Sequence, residues 1–352
     1  MPMRAKSNYI PTLDGLRAVA IFTVILAHSI EAPTHPKATG LGGIGVHIFF
    51  ALSGYLITTR LLQEYTSTGD ISLRNFYIRR VFRILPPAIF YLGIVWLLSR
   101  TRFVLCNWRA IRASLFFYAN YSYYGAPGWR VAHFWSLSVE EHFYVFWPAL
   151  FLFFDVRKGW RTAASAAIAI ILWRILDDHF HIAAHLFRIP SLEQNLYRTD
   201  LVADVLFWGC CLAFYLRGPP RISLSPLRST IIAAIAACVL VSPIFWPLKH
   251  SAFVMHLFPT VLLGAIVASP AAPIGRFLEL PVMRFFGRLS YSLYIWQQLF
   301  LGGPGPRLPL PIALAALLAC AYFSYKVIEQ PCIRFGHRLY RTPLQSPAPL
   351  ET

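Results

Sequence analysis

Ten apolar segments, each long enough to cross a lipid bilayer, follow one another along this chain. A transmembrane helix needs roughly 20 predominantly apolar residues. The segments are 12–31, 43–63, 80–99, 137–155, 162–178, 201–217, 228–246, 253–270, 286–302 and 309–330. With 57% hydrophobic and 13% charged residues, the composition excludes an ordinary water-soluble domain. The pattern therefore predicts an all-α polytopic membrane protein with about ten transmembrane helices.

The distribution of Lys and Arg predicts how the chain is oriented. Cytoplasmic connections between spans carry an excess of these residues. If the N-terminus is cytoplasmic, the connections on that side hold the larger share of them. Both termini are then cytoplasmic, in a multi-pass protein of the inner (plasma) membrane. The net charge of +17 follows mostly from this asymmetry, so it indicates contact with membrane lipids and does not indicate a nucleic-acid partner.

The chain is expected to form one domain. The apolar segments run through residues 1–341 without an internal repeat or a soluble insertion, which predicts a single membrane domain. Residues 342–352 are rich in proline and predict a disordered cytoplasmic tail. The first segment contains Asp14 and Arg17, which a cleaved signal peptide would lack, so we interpret it as an uncleaved span.

Three ionisable residues, Asp14, Arg17 and His28, lie in the first apolar segment. Such groups are costly in a bilayer and need a partner or a function. Their spacing places them on one stripe of a helix. At 1.5 Å of rise per residue, Arg17 and His28 are about 16 Å apart and cannot touch. Either neighbouring helices satisfy each residue separately, or one long ligand reaches both.

The next two segments bring glycines, hydroxyls and arginines to the membrane. Residues 42–58 combine closely spaced glycines with Ser53 and Tyr55, and helix packing through small residues is the favoured interpretation. Arg80 and Arg83 are three residues apart and share a helix face. Such a pair suits phosphate binding, although contact with lipid headgroups is the more ordinary interpretation of the pair alone.

Acidic residues begin two later segments. Glu140 and Glu141 point about 100° apart on a helix, so at most one of them faces the bundle interior as a candidate acid or base. Arg198, Asp200 and Asp204 begin the sixth segment, and ion pairing among them is the simplest interpretation.

Taken together and in this order, the motifs resemble the acyltransferase-3 family of integral-membrane O-acyltransferases. The matching stretches are 13–18 with His28, 45–57, 77–86, 134–144, 198–209, 290–296 and 329–331. The resemblance implies transfer of an acyl group, commonly acetyl, from acetyl-CoA or another acyl-CoA to a hydroxyl of a carbohydrate, glycolipid or secondary metabolite. Some members carry an extracytoplasmic hydrolase-like domain, whereas this chain looks like the stand-alone form.

The resemblance also suggests a role for each polar residue. The catalytic candidates are His28 as a base, Glu140 as the group that orients it if the two face each other, and Arg17. Arg80 and Arg83, with Arg17, are the candidates for binding the acyl-CoA. Supporting roles are expected for Asp14, Ser53, Tyr55, Tyr291, Arg198 and Glu329. No metal is expected.

One position departs from the family pattern. The family often has histidine after the tryptophan of the ninth segment, whereas this chain has Gln297 after Trp296. Glutamine forms hydrogen bonds but is no base near neutral pH, which argues against a mechanism with two histidines. A transporter or flippase for a glycan, a lipid-linked substrate or a small anion stays as the alternative, because buried charges among many spans suit it equally well.

Overall fold

The computed structural model describes residues 9–30, 38–122, 128–154, 156–188, 192, 195–216, 224–245, 251–303 and 308–339. This part of the chain contains helices and no strand. The helices are α1 (Pro11–Ile30), α2 (Ala38–Thr68), α3 (Leu73–Arg100), α4 (Trp108–Leu115), α5 (Trp129–Ala132), α6 (Phe134–Phe153), α7 (Gly159–Phe180), α8 (Ile182–Phe187), α9 (Thr199–Val202), α10 (Asp204–Tyr215), α11 (Pro226–Phe245), α12 (Ser251–Ala268), α13 (Pro273–Leu278), α14 (Pro281–Phe300), α15 (Leu310–Phe323) and α16 (Gln330–Leu339). The predicted tail, 342–352, lies outside the described residues.

The helices confirm an all-helical protein with apolar segments of membrane length. Each of the ten predicted segments overlaps one of the longer helices. By length and apolarity, five helical stretches of the described chain are candidate spans, namely Pro11–Ile30, Gly40–Thr68, Leu73–Arg100, Gly159–Phe180 and Leu310–Leu339. Shorter apolar helices cover Asp204–Tyr215, Pro226–Ser242 and His256–Ala268. The aromatic helices α6 and α14 complete the set of ten segments.

Helix α1 packs against α2 and α14, helix α2 also packs against α10, and small residues let the backbones of these helices approach closely. A Cβ built on Gly287 of α14 would lie 1.8 Å from the backbone oxygen of Asp14. A Cβ on Gly54 of α2 would lie 1.9 Å from the backbone oxygen of Leu206 in α10. Glycine alone leaves room for backbones at this distance. The predicted helix packing within residues 42–58 is therefore confirmed at Gly54, whereas a Cβ on Gly43 would meet nothing within 4 Å.

Gly287→Ala is expected to destabilise the protein, because the new methyl group would overlap the Asp14 peptide and push α1 away from α14. Overpacking of this kind costs about 1 to 3 kcal/mol of unfolding free energy. The measurement is the thermal midpoint of the detergent-solubilised protein. Gly93→Ala is the matched control, since a Cβ there meets nothing within 4 Å. Equal midpoints for the two variants would contradict this account of the packing.

A π-helical turn, Ser324–Glu329, joins α15 to α16. Such turns often occur at functional sites because they redirect one side chain of a helix. Here the Glu329 side chain is buried, and its Oε2 accepts a hydrogen bond of 2.8 Å from Ser292 of α14.

Candidate active site

Helices α1, α2, α3, α6 and α14 enclose a cavity of about 510 Å³. This volume is typical of pockets that bind small molecules. The predicted site residues that line it are Arg17, Ser53, Arg80, Arg83, Glu140 and Tyr291. Residues from separate motifs thus line one cavity, and the two ends of this cavity differ in their charged residues. We call the end at Arg60, Arg80 and Arg83 the basic end, and the end at Ser136 and Tyr294 the closed end.

Arg80 is held at the basic end by aromatic rings. Its guanidinium carbon lies 4.8 Å from the centre of the Tyr144 ring and 5.6 Å from that of Phe76. Stacking of this kind orients the planar guanidinium without neutralising its charge. Arg80 therefore presents a positioned cation to the cavity, and Arg83 lies one turn further along α3.

Arg17 is held by an acidic neighbour on its own helix. Its Nη1 lies 3.1 Å from Oδ1 of Asp14, and the hydroxyl of Tyr9 donates to Oδ2 of the same carboxylate. Asp14 is almost completely buried, whereas the side chain of Arg17 is 24% exposed. The predicted supporting role of Asp14 thus corresponds to a direct contact that orients Arg17.

Glu140 belongs to the same part of the cavity. Its Oε1 accepts a hydrogen bond of 2.6 Å from Ser53, whose Oγ in turn accepts one of 3.2 Å from Tyr144. Arg80 and Arg17 are the cations whose charge acts on this carboxylate. Glu140 therefore offsets part of the positive charge of the cavity and connects α6 to α2.

His28 lies beyond the closed end, and its hydrogen bonds define its tautomer. Nδ1 lies 2.9 Å from the carbonyl oxygen of Val24. Since a carbonyl oxygen can only accept, Nδ1 carries the proton, and Nε2 of the neutral ring has a lone pair. The ring also packs edge-on against Trp129, with 5.7 Å between the ring centres. This tautomer is the one that a base acting through Nε2 requires.

Gln298 connects His28 to His133. Its Oε1 accepts hydrogen bonds from the backbone N–H of His133 at 3.0 Å and from Nδ1 of His133 at 2.8 Å. The amide nitrogen must then face His28, and it donates to Nε2 of His28 at 3.2 Å. One chain of hydrogen bonds therefore runs from His133, the residue directly before α6, through α14 to α1.

Arg130 fixes the end of α14 that carries Gln298. Its Nη1 donates to the backbone oxygens of Gln298 at 3.0 Å and Leu299 at 2.8 Å. Burial lowers the pKa of this guanidinium. A cation at the C-terminal end of a helix is favourable because the last carbonyl groups lack partners within the helix.

Tyr294 and Ser136 lie between the cavity and His28. The Tyr294 hydroxyl is 2.6 Å from Oγ of Ser136 and donates to the carbonyl oxygen of His133 at 3.1 Å. Both residues line the closed end. Gln298 follows Tyr294 by four residues and His133 precedes Ser136 by three, so the His28 group begins one helical turn beyond the cavity.

The structure gives His28 and Glu140 different partners. Glu140 follows His133 by seven residues on α6, which corresponds to about 10 Å along the axis. Its hydrogen bond is to Ser53, whereas Val24 and Gln298 contact the His28 nitrogens. The group that touches Nε2 of His28 is therefore an amide rather than the carboxylate that the sequence suggested.

The remaining predicted residues lie at different distances from the cavity. Tyr291 lines the cavity, but its hydroxyl proton already takes part in a hydrogen bond of 2.7 Å to the carbonyl oxygen of Ile84. Glu329 is not among the residues that line the cavity, and its carboxylate accepts a hydrogen bond from Ser292 of α14. Tyr55 is buried and is not among the residues that line the cavity.

Arg198 lies in a separate ion-pair cluster. Its Nη2 is 2.6 Å from Asp200 and 2.9 Å from Asp177, which joins α9 to α7. The predicted Arg198–Asp200 pair is confirmed. Asp204 pairs instead with His256 at 2.7 Å and with Arg174 at 3.3 Å. Within the described residues, no group of three or more His, Cys, Asp or Glu side chains could hold a metal ion.

Sequence reasoning missed His133 and Gln298. Helical spacing could have found Gln298, because it lies seven residues after Tyr291 and four after Tyr294, on one face of α14. The sequence singled out Gln297, whereas the residue that contacts His28 is the next one, Gln298. Gln297 is fully buried, and neither polar atom of its side chain has a hydrogen-bond partner among the described residues.

Gln298→Leu is expected to lower kcat by about 10- to 100-fold, because a base displaced by about 1 Å loses catalytic geometry. The KM for the acyl donor should change little, since Gln298 does not line the cavity. Steady-state kinetics of acyl transfer separate the two constants. Gln297→Leu makes the same replacement on the adjacent residue and should keep kcat within about threefold of wild type, since no hydrogen bond is lost. Equal losses in both variants would show that the contact with His28 is unimportant.

Comparison with known proteins gives the family. A family model described as an acyltransferase domain matches residues 10–326. The peptidoglycan O-acetyltransferase OatA of Listeria monocytogenes is 29% identical over 95% of this chain and 57% of its own length. A candidate peptidoglycan O-acetyltransferase of Bacillus subtilis is 31% identical over 95% of this chain and 56% of its own.

A candidate O-acetyltransferase of Staphylococcus aureus is 30% identical over 94% of this chain and 58% of its own length. The chain thus spans less than two thirds of the length of these relatives. No solved structure matches it. The family match over nearly the whole described chain agrees with the ordered motifs and with their convergence on one cavity. The chain belongs to the acyltransferase-3 family.

Proposed function

We propose that the protein is a membrane O-acyltransferase that moves an acyl group, acetyl in the simplest case, from an acyl-CoA to a hydroxyl of a carbohydrate. The observation that supports this function is a cationic cavity that ends one helical turn from His28. Two of the relatives are named for peptidoglycan O-acetylation, so a cell-wall glycan is the first acceptor to test. Glycolipids and secondary metabolites are the further acceptor classes.

The basic end of the cavity is assigned to the donor. Arg80 and Arg83 bind its phosphates, because guanidinium groups form paired, charge-assisted hydrogen bonds with phosphate oxygens. Arg17, held by Asp14, lies beside the donor arm. The lining of α2 extends from Val46 to Gln63, which corresponds to about 25 Å along the helix. This length accommodates a nucleotide with a long flexible arm directed at the closed end.

The reaction is assigned to the closed end and His28. As the acceptor oxygen bonds to the thioester carbon, the acceptor hydroxyl takes the place of the Gln298 amide at Nε2 of His28, and Nε2 takes the hydroxyl proton. The C–S bond then breaks, and the proton passes from His28 to the departing thiolate, so that His28 is regenerated. Ser136 and Tyr294 are assigned hydrogen bonds to the thioester carbonyl oxygen, on which negative charge develops during attack, and for this their hydroxyl protons turn away from their present acceptors.

Glu140 is assigned to the donor side of the site. Its carboxylate offsets part of the charge of Arg17 and Arg80 and, through Ser53, fixes the cavity wall on α2. The orientation of His28 is assigned instead to Val24 and Gln298. Glu140 is in this account a positioning residue for the arginines and has no direct part in proton transfer.

We also propose that residues 1–341 form one domain in the plasma membrane, with ten spans and both termini cytoplasmic. This topology directs the basic end of the cavity to the cytoplasm, where acyl-CoA is made, and His28 to the outer half of the membrane. Reporter fusions at the C-terminus test it. Green fluorescent protein should be fluorescent and alkaline phosphatase inactive, and the reverse result would contradict the topology.

The experiment that tests the function uses membranes with and without the protein, incubated with acetyl-CoA and soluble peptidoglycan fragments. Mass spectrometry should show free CoA together with fragments that carry one added acetyl group, only when the protein is present. Fragments or donor that cross the membrane with every thioester intact would support the transporter alternative instead.

A further inference from the structure

A smaller recess of about 70 Å³ adjoins the basic end of the cavity. Arg60, Arg80 and Arg83 line both spaces, whereas Arg79 and His337 line the recess only. Since one water molecule needs roughly 10 to 15 Å³ on this measure, the recess has room for a compact group of about five heavy atoms. Hydrogen-bond donors from α2, α3 and α16 therefore surround a space of the size of one phosphate.

Helix α16 forms one wall of the recess through close packing on α3. A Cβ on Gly336 would lie 2.8 Å from the Cβ of Phe82, and the rings of Phe82 and Phe335 are 5.4 Å apart. His337 follows Gly336 directly, so this contact brings its imidazole to the arginines of α3. The recess is thus built by helix packing and does not depend on a loop.

The recess is strongly positive. Every charged residue that lines it, within the described part of the chain, is basic. Arg79 is oriented by Glu64, whose Oε2 lies 3.2 Å from Nη2 of Arg79. Glu64 is itself fixed, because its Oε1 accepts from the backbone N–H of Ser72. Glu64 offsets part of the charge of Arg79, and the remaining positive charge of the recess belongs to Arg60, Arg80 and Arg83.

We propose that this recess binds the 3′-phosphate of the acyl-CoA nucleotide, while the shared Arg80 and Arg83 bind the diphosphate. The inference rests on the proposed acyl-CoA function and adds a specificity to it. Both anionic groups belong to one nucleotide, and the two spaces share a wall of arginines. A phosphate monoester carries more charge than a diester and favours a site with several guanidinium groups. An anionic lipid headgroup offers the same chemistry from the bilayer.

The first test compares two donors on the wild-type protein, acetyl-CoA and acetyl-3′-dephospho-CoA. The value of kcat/KM should be about 10- to 100-fold higher for acetyl-CoA, as expected for one lost group of charge-assisted hydrogen bonds. Adenosine 3′,5′-bisphosphate should likewise inhibit more strongly than adenosine 5′-monophosphate. Equal use of the two donors would overturn the inference without affecting the proposed function. Failure to consume either donor would instead count against the proposed function itself.

The second test uses Arg79→Gln combined with His337→Gln, which leaves the lining of the main cavity intact. The ratio of kcat/KM for acetyl-CoA to that for acetyl-3′-dephospho-CoA should fall to about three or less, chiefly because the KM for acetyl-CoA rises. Arg74→Gln is the matched control, because it removes an exposed positive charge from α3 outside the recess. A preference that survives in the double variant, or that Arg74→Gln also removes, would overturn the assignment.

The third experiment distinguishes binding of the nucleotide phosphate in the recess from binding of a lipid headgroup. Wild type and the double variant are placed in nanodiscs of phosphatidylcholine alone and of phosphatidylcholine with phosphatidylglycerol. The donor preference should be the same in both lipid mixtures. The inference is wrong if wild type shows no donor preference in either lipid mixture while phosphatidylglycerol changes its KM for acetyl-CoA. If the double variant also loses this effect of phosphatidylglycerol, the recess binds a lipid headgroup.

Discussion

Replacement of His28 by glutamine is expected to lower acyl transfer by about 10²- to 10⁴-fold, the usual contribution of a general base. Glutamine keeps a polar side chain beside Val24 and Gln298 but cannot take a proton near neutral pH. The measurement is acetyl transfer to the acceptor, with the amount of membrane protein determined by immunoblot. The KM for acetyl-CoA should change little, because His28 is not among the residues that line the cavity.

The control for His28 is another partly buried histidine. His142→Gln removes the imidazole whose Nδ1 lies 2.7 Å from Thr199, outside the cavity lining. Its activity should stay near that of wild type. If His28→Gln retained a tenth or more of the activity at equal protein level, His28 would not be the base.

Replacement of both Arg80 and Arg83 by alanine is expected to raise the KM for acetyl-CoA by about 10²- to 10⁴-fold. Each arginine is assigned a charge-assisted contact with a donor phosphate, and such contacts contribute about 1.5 to 3 kcal/mol each. The value of kcat at saturating donor should change less than KM, since neither residue reaches the His28 group. The measurement is the dependence of transfer rate on acetyl-CoA concentration.

Arg161→Ala with Arg276→Ala is the comparison for the arginine pair. Both are exposed on the side of the membrane assigned to the cytoplasm, and neither lines the cavity. This variant loses the same charge but should keep the KM of wild type. An unchanged KM in the Arg80 and Arg83 variant, at an equal level of protein, would contradict the proposed donor site.

Several features of the cavity were predictable because they depend on local sequence. The apolar segments predicted helices of membrane type, and the stripe of Asp14, Arg17 and His28 predicted that one face of α1 meets protein, water or substrate. The spacing of Arg80 and Arg83 predicted a shared face, and both residues line the cavity. In each case helical period and hydrophobicity act over a few residues, so they can be read from the chain directly.

The partners of the buried polar groups were not predictable in the same way. His28 meets Gln298, which is 270 residues away, and Gln298 meets His133 across 165 residues. Glu140 bonds to Ser53 across 87 residues. Periodicity indicates which side of a helix faces the bundle, but it contains no information on which helix lies opposite.

The sequence by itself thus determined the helical membrane class, the family and six of the residues that line the cavity. The tertiary structure decided that Arg17, Arg80 and Glu140 share one cavity, that His28 lies a turn beyond its closed end, and that an amide contacts its Nε2. The physical reason is that helix formation depends on neighbours in the chain, whereas depth and pairing depend on how helices pack. Here that packing follows from close backbone contacts such as Gly287 against Asp14.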